Sequence, residues 1–169
     1  WRVYRAAAPK DGAGAIVRNG GFESRDQIPV FEWELRNGVD LRAETRPSDQ
    51  GEGASVLYAY ASDDALGVVA RQMLVLGAGS YELGTIVGMD SSPAPKRLRW
   101  NIRCAESEAV LLELDVSPNQ PGRRLHRAGF RVPSVSCRAQ WLNLEIEADG
   151  IAGGAEAWVD SVRVRPTMR

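Results

Sequence analysis

The feature that most constrains this chain is a two-residue alternation of apolar and polar side chains that recurs along its length, with no stretch of sustained helical period. In Arg97-Leu98-Arg99-Trp100-Asn101-Ile102-Arg103-Cys104 every even position is apolar and every odd one polar. Successive side chains of a strand point to opposite faces, so this is a strand with one face in a core. Residues 141–147 and 158–165 read the same way, and weaker alternation marks 30–35, 39–45, 56–60, 69–76, 81–89 and 110–116. Asn37-Gly38, Gly77-Ala78-Gly79 and Asp149-Gly150 supply short turns, while 91–95 and 117–124 read as longer loops containing proline. About ten short strands punctuated in this way make a β-sandwich or barrel.

The 169 residues suit one domain of this class. The 21 basic and 22 acidic residues are mixed along the chain, for a net charge of −1. That balance argues against a nucleic-acid or anionic-membrane partner, either of which calls for a basic face. Two local arginine groups stand out, Arg97/Arg99/Arg103 and Arg123/Arg124/Arg127; they read as a solvated strand face and a solvated loop. No apolar run is long enough to cross a bilayer as a helix. The chain begins at Trp1 without a signal sequence and reads as a piece of something longer. Residues 1–16 are expected to be a linker or an added edge strand, and 17–169 the folded module.

The two cysteines, Cys104 and Cys137, are too few for a four-ligand zinc site, and the one histidine, His126, adds little. They are either joined or two buried thiols. A bridge would place the chain in an extracytoplasmic compartment. Strand parity points Cys104 inward but puts Cys137 out of phase with the apolar positions that follow it, unless a bulge or turn at Arg138-Ala139 re-aims it.

The segment Val17-Arg18-Asn19-Gly20-Gly21-Phe22-Glu23, followed by Trp33, resembles the opening strand of galactose-binding-like, jelly-roll carbohydrate-binding modules. Four further pieces follow in the same order: Gly53-Ala54-Ser55-Val56-Leu57, Gly79-Ser80-Tyr81-Glu82-Leu83, Phe130-Arg131-Val132-Pro133 and the closing Trp158-Val159-Asp160-Ser161-Val162. The Arg99 to Cys104 and Cys137 to Leu142 segments are also similar to modules appended to bacterial tetratricopeptide-repeat proteins. The resemblance implies an all-β jelly-roll sandwich of about ten antiparallel strands. It further implies a non-catalytic module that binds a polysaccharide or other glycan, or an accessory domain of the same fold that packs on a partner or on its own preceding domain. Fold alone does not carry function.

In such modules a structural Ca²⁺ is often held by the opening-strand Glu, the closing-strand Asp and loop carbonyls. Glu23 and Asp160 match these positions, and carboxylates with backbone oxygens suit a hard cation. Asp160 shares parity with Trp158, Val162 and Val164, so alternation points it at the core, where a carboxylate must be paired, metal-bound or hydrogen-bonded. A hydrogen bond to backbone or to an arginine is the competing reading.

Sugar sites present aromatic rings as platforms with polar neighbours for the hydroxyls. Trp33, Trp100 and Trp158 sit at core parity. Trp141 has the parity opposite to Leu142, Leu144 and Ile146, which makes it the foremost platform candidate, with Tyr60 and Tyr81 behind it. No catalytic residues emerge. His126 lies in a predicted basic loop without a nucleophile, and Asp63-Asp64 and Glu106/Glu108 fall near turns, where acidic residues are common.

Overall fold

The computed structural model describes residues 16–24, 31–90 and 93–167. The reading of residues 1–16 as a linker or edge strand therefore lies almost wholly outside the described residues. The strands are β1 (Glu34–Leu35), β2 (Leu41–Pro47), β3 (Ser55–Asp63), β4 (Leu66–Leu74), β5 (Gly79–Met89), β6 (Arg97–Cys104), β7 (Val110–Asp115), β8 (Gly122–Val132), β9 (Gln140–Glu147) and β10 (Ile151–Pro166). They form two antiparallel five-stranded sheets, ordered β1-β4-β9-β6-β7 and β2-β3-β10-β5-β8. The fold is the expected all-β jelly-roll sandwich.

Alternation builds the core directly. Leu98, Trp100 and Ile102 of β6 face inward beside Leu142, Leu144 and Ile146 of β9, all fully buried. From the second sheet Leu57, Ala59, Ala61, Ala157, Val159 and Leu83 enter the same cluster. Trp100 and the branched side chains of the first sheet thus meet alanines interspersed with Leu57, Leu83 and Val159 on the second, and the two layers fill the space between them. Cys104, at the end of β6, is bonded to Cys137 in the loop before β9, with the Cα atoms 5.0 Å apart. Cys137 escapes the parity conflict because it precedes the first residue of β9, Gln140, and follows Ser136 in a left-handed turn (φ 58°).

Three expectations are corrected. The sequence predicts one loop over 117–124 with His126 in its basic continuation, yet β8 begins at Gly122 and carries His126 mid-strand, pairing with β5 over eleven residues without a register shift. Arginines on both faces of its first half obscure the alternation that Phe130 and Val132 show at its end. Asn19 to Glu23 is a turn rather than a strand: the Phe22 amide donates to the Asn19 carbonyl (3.0 Å), and Asn19 and Phe22 both have positive φ.

The third correction concerns Trp158. Alternation gives it core parity together with Asp160, but Ala157 and Val159 occupy the core and Trp158 and Asp160 lie on the outer face of the second sheet. There Trp158 forms a separate cluster with Val56, Tyr58 and Ile86. The register of β10 on β5 shifts between Asp160 and Arg163, with Ser161 at φ 51°. This bulge inverts the parity, so Val162 and Val164 return to the core while Asp160 stays with Trp158. The bulged Val162 amide donates to the Gly20 carbonyl (2.8 Å), and a Cβ at Gly20 would strike the Val162 carbonyl, so only glycine allows this approach. The opening turn is thereby pinned beside Asp160.

Candidate functional site

The outer face of the first sheet gathers polar side chains that lie far apart in sequence. Antiparallel register sets Glu34, Arg71, Asn143, Asn101 and Glu113 in one row across all five strands. The adjoining row holds Met73, Trp141 and Arg103, and the row on the other side holds Val68, Glu145, Arg99 and Asp115. Each is the polar or outward partner in an alternating strand whose other face is core.

These groups form one network. Asn143 Nδ2 donates to Asn101 Oδ1 (2.9 Å), and Asn101 Nδ2 donates to Glu145 Oε1 (2.7 Å). Arg99 donates to Glu145 Oε2 (2.6 Å) and pairs with Glu113 (3.3 Å), which also lies 3.7 Å from Arg103. Asn101 is fully buried although it lies on the outer face, so the Asn pair forms a fixed floor beneath the longer side chains. The Glu145 hydrogen bond and its charge raise the Arg99 pKa, with desolvation opposing. Arg97 completes the pattern on Glu147 (3.3 Å). The Arg97/Arg99/Arg103 group is therefore neutralised in place.

Trp141 stands half-buried at the head of this network. Its ring carries the Arg71 guanidinium, 4.5 Å from the centroid, and Arg71 is held in turn by Glu34 (2.7 Å). Beyond it, Gln140 ties two loops together: it accepts from the Leu76 amide (2.9 Å) and donates to the Cys137 carbonyl (2.9 Å). Between those loops lies an open cleft of about 600 Å³, lined by Val75, Gly77, Pro133, Val135 and Arg138 among others, with the disulfide at its wall.

The three candidate rings do not converge. Tyr60 is on the outer face of the second sheet, under Arg42 (5.3 Å to the ring centroid). Tyr81 packs against the core and Phe130, with its hydroxyl on the Gly77 carbonyl (3.0 Å). Trp100 is fully buried in the core, and Trp33 plugs the space between Phe22 and Trp100 at centroid distances of 5.4 and 5.8 Å. The sequence alone gives no site role to Asn101, Asn143 and Glu145, and it reads Arg99 only as part of a solvated strand face. Their common signal was present as odd-position polarity in β6 and β9; what it lacked was the pairing of those two strands.

Glu23 and Asp160 do converge, on the loop joining β2 and β3. Asp160, fully buried, accepts the Glu52 amide (2.7 Å) and the Ser161 amide (2.6 Å). Glu23 Oε1 accepts the Ser55 amide (2.9 Å). A Cβ at Gly51 or Gly53 would run into the Asp160 or the Glu23 carboxylate, so both glycines let the loop backbone close on the acids. Burial raises the Asp160 pKa, the two amides oppose it, and the Glu52 and Glu23 charges add to the rise. Glu52 turns its own carboxylate to Ser161 Oγ (2.6 Å) and Arg163 (2.9 Å). Hydrogen bonding to backbone, the competing reading, is therefore present. Among the described residues no group of three or more side chains is arranged to hold a metal. Two carboxylates with free lone pairs on one backbone loop still fit the donor chemistry of a hard cation.

No protein-family model matches the chain, and no curated protein does. Solved structures do. TmCBM61, in a complex with β-1,4-galactotriose, superposes with a TM-score of 0.64 at 13% identity, covering 90% of this chain and 99% of that one. A xylan-binding domain from CBM 22 gives 0.60 at 13%, covering 92% and 99%. A cyclase from Fischerella sp. TAU, in complex with 4-(1H-indol-3-yl)butan-2-one, gives 0.65 at 17%, covering 90% and 98%. At such identities the likeness is one of fold, and that fold serves both binding modules and an enzyme.

Proposed function

We propose that this chain is a non-catalytic glycan-binding module whose ligand lies across the outer face of β4, β9 and β6, against Trp141. The observation that carries this reading is a half-buried indole set beside a fixed floor of Asn101, Asn143 and Glu145. The buried asparagines fix the more exposed groups above them, such as Glu113 and Arg103, which can hold hydroxyls, and an aromatic ring takes the C–H face of a sugar. Every arginine on this face has an acidic partner, so the face suits a neutral polysaccharide. The bound galactotriose of TmCBM61 and the xylan-binding domain support a sugar ligand for a fold of this kind. The disulfide accords with an extracytoplasmic module of a larger protein.

The test is affinity electrophoresis and calorimetry on a panel of neutral β-glycans, galactans and xylans. Saturable binding to at least one is expected, weakened at least about tenfold by Trp141→Ala with an unchanged unfolding midpoint. Absence of binding across the panel would refute it. That outcome would favour the second reading, an interaction domain without sugar affinity, for which the Arg71 guanidinium lying on the Trp141 ring is the supporting observation.

We further propose that Glu23, Asp160 and carbonyls of the loop between β2 and β3 hold a structural Ca²⁺. The convergence of both carboxylates on that loop supports it. A bound ion would stabilise the fold by mass action. Calcium should therefore raise the unfolding temperature of chelator-treated protein, and Asp160→Asn should abolish the increment; an identical midpoint with and without chelator removes the metal.

A further inference from the structure

The two arginine groups singled out in the sequence have opposite fates. Arg97, Arg99 and Arg103 are matched by Glu147, Glu145 and Glu113. Of the second group, Arg123 reaches the Gly51 carbonyl (3.3 Å), whereas Arg124 and Arg127 form no ion pair among the described residues. Arg131, further along β8, and Arg165, on β10, are likewise unpaired and exposed.

Three of these cations share one face. Odd positions of β8 point outward, because Phe130 and Val132 enter the core. Arg127 and Arg163 flank Gly84 from the two sides, Arg165 and Gly129 flank Glu82, and Arg131 lies opposite Ser80. Two strand spacings separate the outer strands, so the arginines stand roughly 10 Å apart across a central track. That track is low. Neither Gly84 nor Gly129 has positive φ, and a Cβ on either would meet nothing closer than 3.7 Å, so packing does not require glycine at these positions. The face therefore presents a shallow channel with Arg127 and Arg131 on one side, Arg163 and Arg165 on the other, and Glu82 in its course. Arg163 is the one already matched, by Glu52.

We infer that this half of the second sheet's outer face is a binding surface for an anionic polysaccharide, whose carboxylates or sulfates pair with Arg127, Arg131 and Arg165. Addition of an acidic peptide strand to the open edge of β8 fits less well. Arg124 and His126 have the inward parity of that edge strand, a placement that discourages strand addition. Nor, among the described residues, does an aromatic ring line the channel, as stacking on nucleic-acid bases would require. Guanidinium groups pair bidentately with carboxylate and sulfate, and an uncompensated row of them gains most from a polymer of regularly spaced charges. This surface lies on the opposite sheet from Trp141 and does not depend on the reading of that face.

The experiment measures binding of the intact chain to polygalacturonate and to dextran sulfate, with methyl-esterified pectin and dextran as uncharged counterparts. Binding to at least one polyanion, lost at high salt, is expected, and R127E/R131E/R165E should weaken it at least about tenfold without moving the unfolding midpoint. Glu82→Gln, which removes the acid in the course of the channel, should tighten it about twofold or more, a gain no merely structural role would give. Trp141→Ala should leave this binding unchanged while removing any neutral-glycan binding, which separates the two sites. Polyanion binding no tighter than to the uncharged counterparts, insensitivity to the triple substitution, or equal retention of single-stranded DNA or an acidic peptide would overturn the assignment.

Discussion

Replacing both Cys104 and Cys137 with alanine tests the energetic reading of this sandwich most sharply. The bond joins the end of β6 to the loop before β9, closing a segment of 33 residues. In the chain-entropy model a loop of that length removes about 12.5 cal/mol/K from the unfolded ensemble, or about 3.7 kcal/mol at 25 °C. For a chain of 169 residues the unfolding entropy near the midpoint is about 350 cal/mol/K, so the transition should fall by about 10 °C. Both cysteines are buried, and the alanines avoid placing a hydroxyl where none can be satisfied. Calorimetry of the wild type and the double variant reads the shift directly, and denaturant titration should show a larger m-value because the uncrosslinked chain exposes more surface. A midpoint lowered by less than about 3 °C would mean that the tie is not constraining the unfolded chain, and the reasoning would fail. The variant should keep its ligands, because Gln140 still holds the two loops through the Leu76 amide and the Cys137 carbonyl, both backbone groups.

Three further outcomes are expected. Asn101→Ala strips a buried donor from Glu145 and an acceptor from Asn143, and should destabilise the fold by about 2–3 kcal/mol in urea titrations; a loss under about 0.5 kcal/mol would mean that water replaces it freely. Arg71→Ala removes a guanidinium that competes for the Trp141 ring at a partly exposed site, so neutral-glycan affinity should rise about two- to fivefold by calorimetry; weaker binding would make Arg71 part of the ligand contact instead. His126 has its pKa lowered by burial and then by Arg124. The folded state therefore binds the proton less readily than the unfolded chain, and stability declines as pH falls below about 6.5 towards the folded value. Midpoints at pH 7.5 and 5.5 should differ more in the wild type than in His126→Gln, and parallel profiles would refute the burial argument.

The parts of this molecule legible in its sequence are those governed by local alternation. Arg97 to Cys104 and Gln140 to Glu147 each repeat cleanly, and the structure sets Leu98, Trp100 and Ile102 inside and Arg97, Arg99 and Arg103 outside. The misplacement of Trp158 shows where that logic stops. One inserted residue at the β10 bulge reverses the facing of everything beyond it, and the bulge is held by a carbonyl from Gly20, about 140 residues earlier. No local window contains that information. The candidate sugar face illustrates the same limit from the other side. Asn101 and Asn143 are each unremarkable polar positions in their own strands, and they become a floor only because β6 pairs with β9 across the intervening β7 and β8. Charge follows this rule as well. The two arginine groups look alike in sequence, yet β6 lies between β9 and β7, which bring Glu145, Glu147 and Glu113 to it, while β8 sits at an edge beside β5 alone. For these two groups the strand's place in the sheet order, more than its own composition, decides whether the cations are neutralised.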